Sequence, residues 1–120
     1  MNRVIHFDIS ADEPERAIRF YRDVFGWSIK KWNGPVDYWL VETGAGEPGI
    51  DGGIAYRKEH ETTIMTIAVT SVDEAVQKIE QTGGTVIQPK TSVSKVGYVA
   101  YCKDTEGNIF AIMEEDATAP

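Results

Sequence analysis

His6 and Asp8, two positions apart near the start of the chain, are the residues best suited to chemistry. Because side chains alternate between the two faces of a β-strand, this spacing places the imidazole and the carboxylate on one face. An imidazole titrates near neutral pH, so it can act as a general base or as a hydrogen-bond partner of a substrate. The carboxylate can orient that imidazole or bind a cationic ligand. The alternative is a histidine merely held by a solvated carboxylate, without a function.

The elements that would position this pair follow one another in the order βαβββ. Residues 3–10 alternate in polarity, which predicts a strand. A helix is predicted next, with Asp12 as its N-cap, Glu15 completing a capping box and Gly26 at its end. Three short strands are then predicted at about residues 27–32, 38–43 and 52–57.

The same order of elements returns in the second half of the chain. Residues 64–70 alternate as a strand, Ser71 and Glu74 form a second capping box, and Gly83 lies just beyond the predicted helix. In this overlay Thr66 takes the position of His6. Further strands are predicted at about residues 85–88, 97–103 and 109–114.

The repeat predicts one α+β domain over residues 1–120, built from two βαβββ modules. The modules are expected at about residues 3–59 and 62–115. They are predicted to form a curved mixed sheet with the helices on its outer face. Strand alternation then places His6 and Asp8 on an inner, concave face where a ligand can bind.

The composition argues against several classes of function. Of the 120 residues, 42% are hydrophobic and 26% are charged, which is typical of a globular domain. The net charge of −7, without a cluster of Lys and Arg, argues against a nucleic-acid partner. A single cysteine allows no intrachain disulfide, and no apolar run is long enough for a bilayer, so a cytoplasmic protein is expected. Residues 117–120 are expected to form a loose tail, and His60 to lie exposed between the modules.

Three segments of the sequence are similar to those of one protein family. They are the opening His6-Phe7-Asp8-Ile9, the helix end Phe20-Tyr21-Arg22-Asp23-Val24-Phe25-Gly26-Trp27, and the closing Asp104-Thr105-Glu106-Gly107-Asn108-Ile109. Together they resemble the vicinal oxygen chelate superfamily of glyoxalases, bleomycin resistance proteins and extradiol dioxygenases. The resemblance extends from about Val4 to Glu114. It implies two βαβββ modules, a small-molecule ligand and a homodimer.

The resemblance also implies a divalent metal, bound by one His and one Glu from each module. Matched residue by residue, these ligands fall on His6, Gly53, Thr66 and Ala111. Glycine and alanine have no side-chain donor, and threonine is a poor ligand for transition metals. Glu114 does not compensate, because strand alternation turns it away from the face of Ala111. We therefore expect no cofactor and no metal site of the family's kind.

Further residues are predicted to line the inner face of the sheet. They are Trp39, Val41 and Arg57 in the first module and Tyr101, beside Ala111, in the second. The aromatic and aliphatic side chains would form an apolar wall, and the guanidinium of Arg57 can bind a carboxylate. The alternatives are side chains that fill the hollow as a second core, and an ordinary surface arginine. Cys102 is expected to be a buried apolar residue.

Three functions are open at this point. The favoured one is a glyoxalase-like protein that binds, and can transform, a small organic molecule without the family's metal. The second is a metal-dependent lyase, isomerase or dioxygenase-type enzyme that uses His6 with atypical ligands such as Asp8. The third is a non-catalytic accessory or oligomerisation module. Lactoylglutathione lyase activity is not expected, because its enediolate intermediate needs the metal.

Overall fold

The computed structural model describes residues 1–59 and 61–120, and His60, predicted to be an exposed loop residue, lies outside the described residues. The elements follow the predicted order βαβββ twice. They are β1 (Val4–Ala11), α1 (Pro14–Phe25), β2 (Ser28–Lys31), β3 (Tyr38–Glu42), β4 (Asp51–Tyr56), β5 (Ile64–Ala68), α2 (Val72–Gln81), β6 (Thr85–Val93), β7 (Gly97–Lys103) and β8 (Ile109–Glu115). The chain divides into two compact units, one of His6–Ile64 and one of Met1–Ile5 with Met65–Pro120.

In the first unit, four strands form a mixed sheet in the order β2-β3-β4-β1. β1 runs parallel to β4, whereas β3 is antiparallel to both β2 and β4. Apolar side chains of α1 recur at helical spacing and cover one face of this sheet. Phe7 and Ile9 of β1 pack against that core, so alternation puts His6 and Asp8 on the opposite face. The buried core residues are Ala11, Ile18, Ile29, Val41 and Ile54.

Aromatic side chains join the end of α1 to the sheet. The rings of Tyr21 and Trp27 are stacked, with centroids 4.9 Å apart and an interplanar angle of 4°. The Trp27 ring lies 5.9 Å from that of Phe7. Gly26 makes this return of the chain possible, because it ends the helix in the left-handed region at a φ of 73°. These contacts explain why the helix ends in the sequence Phe-Gly-Trp.

The second unit repeats the arrangement with strands in the order β5-β8-β7-β6. β5 is parallel to β8, and β7 is antiparallel to both β8 and β6. The buried core under α2 consists of Val69, Val72, Ala100 and Ile112. The first residues of the chain belong to this unit, since Asn2 N–H donates to the Ala68 carbonyl at 2.7 Å and Ala68 N–H to the Arg3 carbonyl at 2.9 Å.

The two helices begin in different ways. The Ser71 hydroxyl oxygen accepts from the Glu74 N–H at 3.2 Å, which confirms Ser71 as the N-cap of α2. The prediction that Asp12 caps α1 is wrong. The N-cap is Glu13, whose side chain makes no capping hydrogen bond, and Asp12 accepts instead from Nε of Arg57 at 2.9 Å. A charge-assisted hydrogen bond holds that carboxylate away from the helix N–H groups.

The turn between β7 and β8 is built on the carboxylate of Asp104. Its oxygens accept from the backbone N–H of Asn108 at 2.9 Å, from the side-chain amide of Asn108 at 3.0 Å and from the backbone N–H of Glu106 at 2.8 Å. These donors, the Asn108 N–H first, hold the pKa of the Asp104 carboxyl below its usual value. Gly107 completes the turn at a φ of 81°. The Asp-Thr-Glu-Gly-Asn motif is therefore a turn motif in this chain.

The prediction of an α+β fold with two βαβββ modules is confirmed. Two details differ from the expectation. β6 continues to Val93, and the residues after β8 are not loose, since Ala119 is buried and its carbonyl accepts from the Lys95 N–H at 2.9 Å. Neither helix of the described chain is long and apolar enough to cross a membrane.

Candidate functional site

Three polar side chains meet on the sheet face of the first unit that lies opposite α1. Nε2 of His6 is 2.9 Å from the hydroxyl oxygen of Tyr38 and 3.2 Å from Oδ1 of Asp8. The Tyr38 hydroxyl donates to the same Asp8 oxygen. The side chains of His6 and Asp8 are 32% and 27% exposed, so they are partly screened from water but can still be reached by a ligand. We call His6, Asp8 and Tyr38 the polar cluster.

Tyr38 reaches β1 across the intervening strand β4. In the sheet register Tyr38 pairs with Ala55 of β4, and the neighbouring Gly53 pairs with Asp8 of β1. A Cβ atom on Gly53 would overlap the ring and hydroxyl of Tyr38. The phenol therefore lies over the backbone of Gly53, and its hydroxyl ends beside Asp8. Glycine in a strand often marks such a close approach.

The hydrogen-bond pattern assigns the proton on the imidazole. A carboxylate only accepts, and a tyrosine has a single hydroxyl proton, which here is directed to Asp8. The tautomer that satisfies both contacts of Nε2 of His6 carries its hydrogen on that atom, shared between the Tyr38 and Asp8 oxygens. In the neutral ring the lone pair is then on Nδ1, which has no hydrogen-bond partner among the described residues. Nδ1 is the atom of His6 that can accept a hydrogen bond or a proton from a ligand.

The structure brings His6, Asp8 and Gly53 together, whereas Trp39 and Val41 lie on the other face. Val41 is 1% exposed in the core under α1, and Trp39 packs against that core. The prediction that they line the ligand-binding face is therefore wrong in its geometry. β3 is apolar on both faces, so alternation alone cannot select the inner one. Tyr38 was missed, although two successive glycines in β4 were a signal that a neighbouring side chain approaches closely.

Arg57 is engaged within the first unit. Nε donates to the Asp12 carboxylate at 2.9 Å, Nη2 donates to the Ser10 carbonyl at 3.2 Å, and Nη1 donates to the Glu61 carbonyl. Three of the five N–H donors of a guanidinium are thus directed at the chain itself. Arg57 ties the end of β4 to the end of β1 and is not positioned as a free clamp for a carboxylate.

The predicted residues of the second unit share one face of its sheet. Ala111 pairs with Thr66 on one side and with Tyr101 on the other, and Thr66 and Ala111 are 6% and 2% exposed. Glu114 lies on the opposite face, as predicted, because its carboxylate accepts from the Val72 N–H at the start of α2, at 3.0 Å.

The second unit has two further features. A depression of about 420 Å³ is lined by Lys95, Val96, Met113, Glu115, Asp116 and Ala117, none of which was predicted as a site residue. Cys102 is fully buried, as expected, and burial raises the pKa of its thiol. A thiol that stays protonated is a poor nucleophile.

A repeated βαβββ unit, with a polar cluster on the sheet face opposite the helix, defines the structural class of this chain. The sequence matches the model of the Glyoxalase/Bleomycin resistance protein/Dioxygenase superfamily over residues 3–112. The chain therefore belongs to this superfamily, as the three sequence segments indicated. No curated protein sequence matches it significantly.

Solved structures support the same fold at low sequence identity. A hypothetical protein from Bacillus halodurans C-125 is 16% identical, with a TM-score of 0.71 over 98% of this chain and 97% of its own. A methylmalonyl-CoA epimerase of Streptomyces coelicolor, in complex with 2-nitronate-propionyl-CoA, is 13% identical, with a TM-score of 0.69 over 100% of this chain and 99% of its own. A protein described as an NAD-dependent benzaldehyde dehydrogenase from Legionella pneumophila is 18% identical, with a TM-score of 0.64 over 92% and 98%. At these identities the likeness shows the fold alone.

The residues present do not fit the divalent metal that the superfamily implies. The space in front of Gly53, where a second ligand would project, is filled by the phenol of Tyr38. Thr66 and Ala111 supply no strong donor at the other two positions. Within residues 1–59 and 61–120, no group of three or more His, Cys, Asp or Glu side chains is placed to hold a metal ion.

We predict that Gly53→Ala lowers the free energy of unfolding by about 1–3 kcal/mol, because the added methyl group displaces Tyr38. The same substitution in a Tyr38→Ala background should cost less than about 0.5 kcal/mol, because the overlapping ring is gone. Urea denaturation of the four proteins in this cycle measures both costs. Gly49→Ala is the control, since its Cβ would have only Thr43 within 4 Å, at 3.9 Å. Equal costs in the two backgrounds would contradict the placement of Tyr38.

Proposed function

We propose that this chain binds a small organic molecule at the polar cluster, and that it does so without the superfamily's metal. The observation that carries the proposal is the Tyr38 phenol over Gly53, hydrogen-bonded to Asp8 and in contact with Nε2 of His6. This arrangement takes the place of a metal ligand and orients the imidazole, with Nδ1 available for a ligand. A protein hydrogen-bond network thus substitutes for metal coordination.

Apolar side chains beside the polar cluster support a small-molecule ligand. The Trp32 ring stands edge-on to that of Tyr38, with centroids 6.2 Å apart, and lies against Gly34. Leu40 pairs with Gly53 and is 44% exposed, and Trp32 is 36% exposed. An apolar surface with a few convergent polar atoms is typical of small-molecule sites. The S. coelicolor epimerase complex supports the same class of ligand for this fold without specifying it.

We predict that hits from a library of neutral, cationic and anionic aromatic fragments perturb the amide NMR signals of β1, β3 and β4. Tyr38→Ala and His6→Ala should each weaken the hits by about tenfold, because each removes part of the hydrogen-bond network. Tyr56→Ala is the matched control, since this exposed tyrosine packs edge-on to Trp39, on the other face of the sheet. Hits that map elsewhere, or that survive both cluster substitutions, would contradict the proposal.

We also propose that binding needs no cofactor. Incubation of untagged protein with nickel, zinc, iron and manganese, followed by gel filtration and elemental analysis, should leave no near-stoichiometric metal. The reason is that one imidazole and one carboxylate on β1 are too few ligands for a tetrahedral site. Near-stoichiometric metal that is lost in His6→Ala, and retained in a Glu115→Gln control, would overturn this proposal and return attention to lyase or dioxygenase chemistry.

We further propose a homodimer, supported by the surface of α1. Three large apolar side chains of α1 are exposed: Phe20 by 56%, Val24 by 56% and Phe25 by 60%. In contrast, α2, all of whose residues are described, exposes no large apolar side chain. Arg16 and Asp23 stand at i−4 and i+3 from Phe20, so they lie on its side of the helix. An antiparallel pair of α1 helices would therefore bring Arg16 opposite Asp23 of the partner subunit.

Light scattering should accordingly give twice the chain mass of 13.3 kDa. Phe20→Asp should give the monomer mass, because it places a charge in the apolar contact. Gln77→Asp adds the same charge to the exposed surface of α2 and should remain dimeric. A monomeric parent protein would contradict the proposal.

A further inference from the structure

The donors of the polar cluster are already directed at partners within the chain. Nε2–H of His6 and the Tyr38 hydroxyl both point to oxygen atoms of the cluster, and the Tyr38 proton goes to Asp8. The next inward-facing side chain of β1, Ser10, donates its hydroxyl proton to the Thr62 carbonyl at 2.9 Å. Nδ1 of His6 and Oδ2 of Asp8 are left to meet a ligand, since neither receives a hydrogen bond from the described residues. Oδ2 is an acceptor, and so is Nδ1 in the neutral imidazole with its hydrogen on Nε2.

The charged side chains around Oδ2 of Asp8 and Nδ1 of His6 do not make this part of the site attractive to anions. Asp51 pairs with His6 across β1 and β4, which adds a second carboxylate to the same face. The guanidinium of Arg57 is paired with Asp12 at 2.9 Å. Lys30 pairs with Leu40 and so lies on this face, but it is on β2, three strands from β1. At a strand spacing of about 4.8 Å, that separation is roughly 14 Å.

An apolar surface adjoins the acceptors on the side of β3. Leu40 pairs with Gly53, the phenol of Tyr38 lies over Gly53 between Leu40 and Asp8, and the Trp32 ring stands edge-on to that of Tyr38. A ring or short hydrocarbon group can therefore pack on Tyr38 and Leu40 while its polar end reaches Asp8. The partial burial of Asp8 strengthens its attraction for a cation relative to an exposed carboxylate.

From these contacts we propose that the site takes a small apolar ligand that carries a cationic hydrogen-bond donor, such as an arylalkyl amine. The ammonium group donates to Oδ2 of Asp8, and the hydrocarbon part packs on Tyr38, Leu40 and Trp32. A carboxylate or phosphate in the same place would set oxygen against acceptor atoms and would gain no donor. This inference rests on the proposed function and specifies its ligand class.

Three phenyl compounds of similar shape test this specificity on the parent protein: 2-phenylethylamine, 2-phenylethanol and 3-phenylpropionate. Each is titrated into ¹⁵N-labelled protein at neutral pH and constant ionic strength, and the dissociation constant is read from the amide shifts of β1 and β4. We expect the amine to bind about tenfold more tightly than the alcohol, a ratio equivalent to about 1.4 kcal/mol. We expect no saturable binding of the propionate at this face.

Two variants identify the source of the preference. Asp8→Asn should bring the affinity for the amine to within about threefold of that for the alcohol, because the charge is gone while the shape is kept. Glu80→Gln on α2 removes the same charge from the other unit and should leave the tenfold preference intact. Circular dichroism checks that Asp8→Asn is folded, and the ligand comparison on the parent protein stands even if it is not.

The outcomes separate this inference from the function on which it rests. Equal binding of the three compounds, or tighter binding of the propionate, at β1 and β4 would overturn the amine preference and keep the binding site. Binding of none of them at this face, together with an empty fragment screen, would overturn both. If Glu80→Gln reduced the preference for the amine over the alcohol as much as Asp8→Asn does, the preference would come from the net charge of the protein, and the role of Asp8 would be overturned.

Discussion

A side chain at position 53 and the phenol of Tyr38 cannot occupy the same space, and the site in the first unit depends on this constraint. Because Gly53 leaves its space empty, a tyrosine on β3 reaches across β4 to the carboxylate and imidazole on β1. On the other face of the same strand, a Cβ on Gly52 would overlap Phe7, which belongs to the core under α1. The two successive glycines thus leave room for a ring on each face of the sheet: Gly52 for Phe7 in the core and Gly53 for Tyr38 in the site.

The polar cluster differs in its electrostatics from the metal site that the superfamily implies. A divalent metal is a centre of positive charge that attracts the oxygen atoms of a substrate. In this chain the centre is the Asp8 carboxylate, which receives the donors of its two neighbours and leaves acceptors on the outside. Under the proposed function, this face presents a negative charge to its ligand, where a divalent metal would present a positive one. The inheritance of a fold does not carry its chemistry with it.

Much of the architecture could be predicted from the sequence, because strand alternation, capping residues and the repeat agree with one another. The face of His6 and Asp8, the cap at Ser71 and the outward turn of Glu114 follow from local rules that the structure obeys. Local rules did not predict which side of β3 faces the site. Its residues are apolar in succession, so only the pairing with β4 decides that Tyr38 and not Trp39 lies beside Asp8. Likewise, Asp12 has the residue type of an N-cap, but its carboxylate accepts a hydrogen bond from Arg57, which is distant in sequence.

The bonds from Asn2 and Arg3 to Ala68 have a consequence for the order in which the chain can fold during synthesis. The first residues leave the ribosome well before Ala68 exists, and at ordinary elongation rates the delay is on the order of several seconds. Over that interval the start of β1 has no strand partner on that side, and its backbone N–H and C=O groups there are unpaired. A nascent chain of this kind presents an unpaired strand to the cell, and chaperones or neighbouring chains on the same message would meet it before its own β5 does.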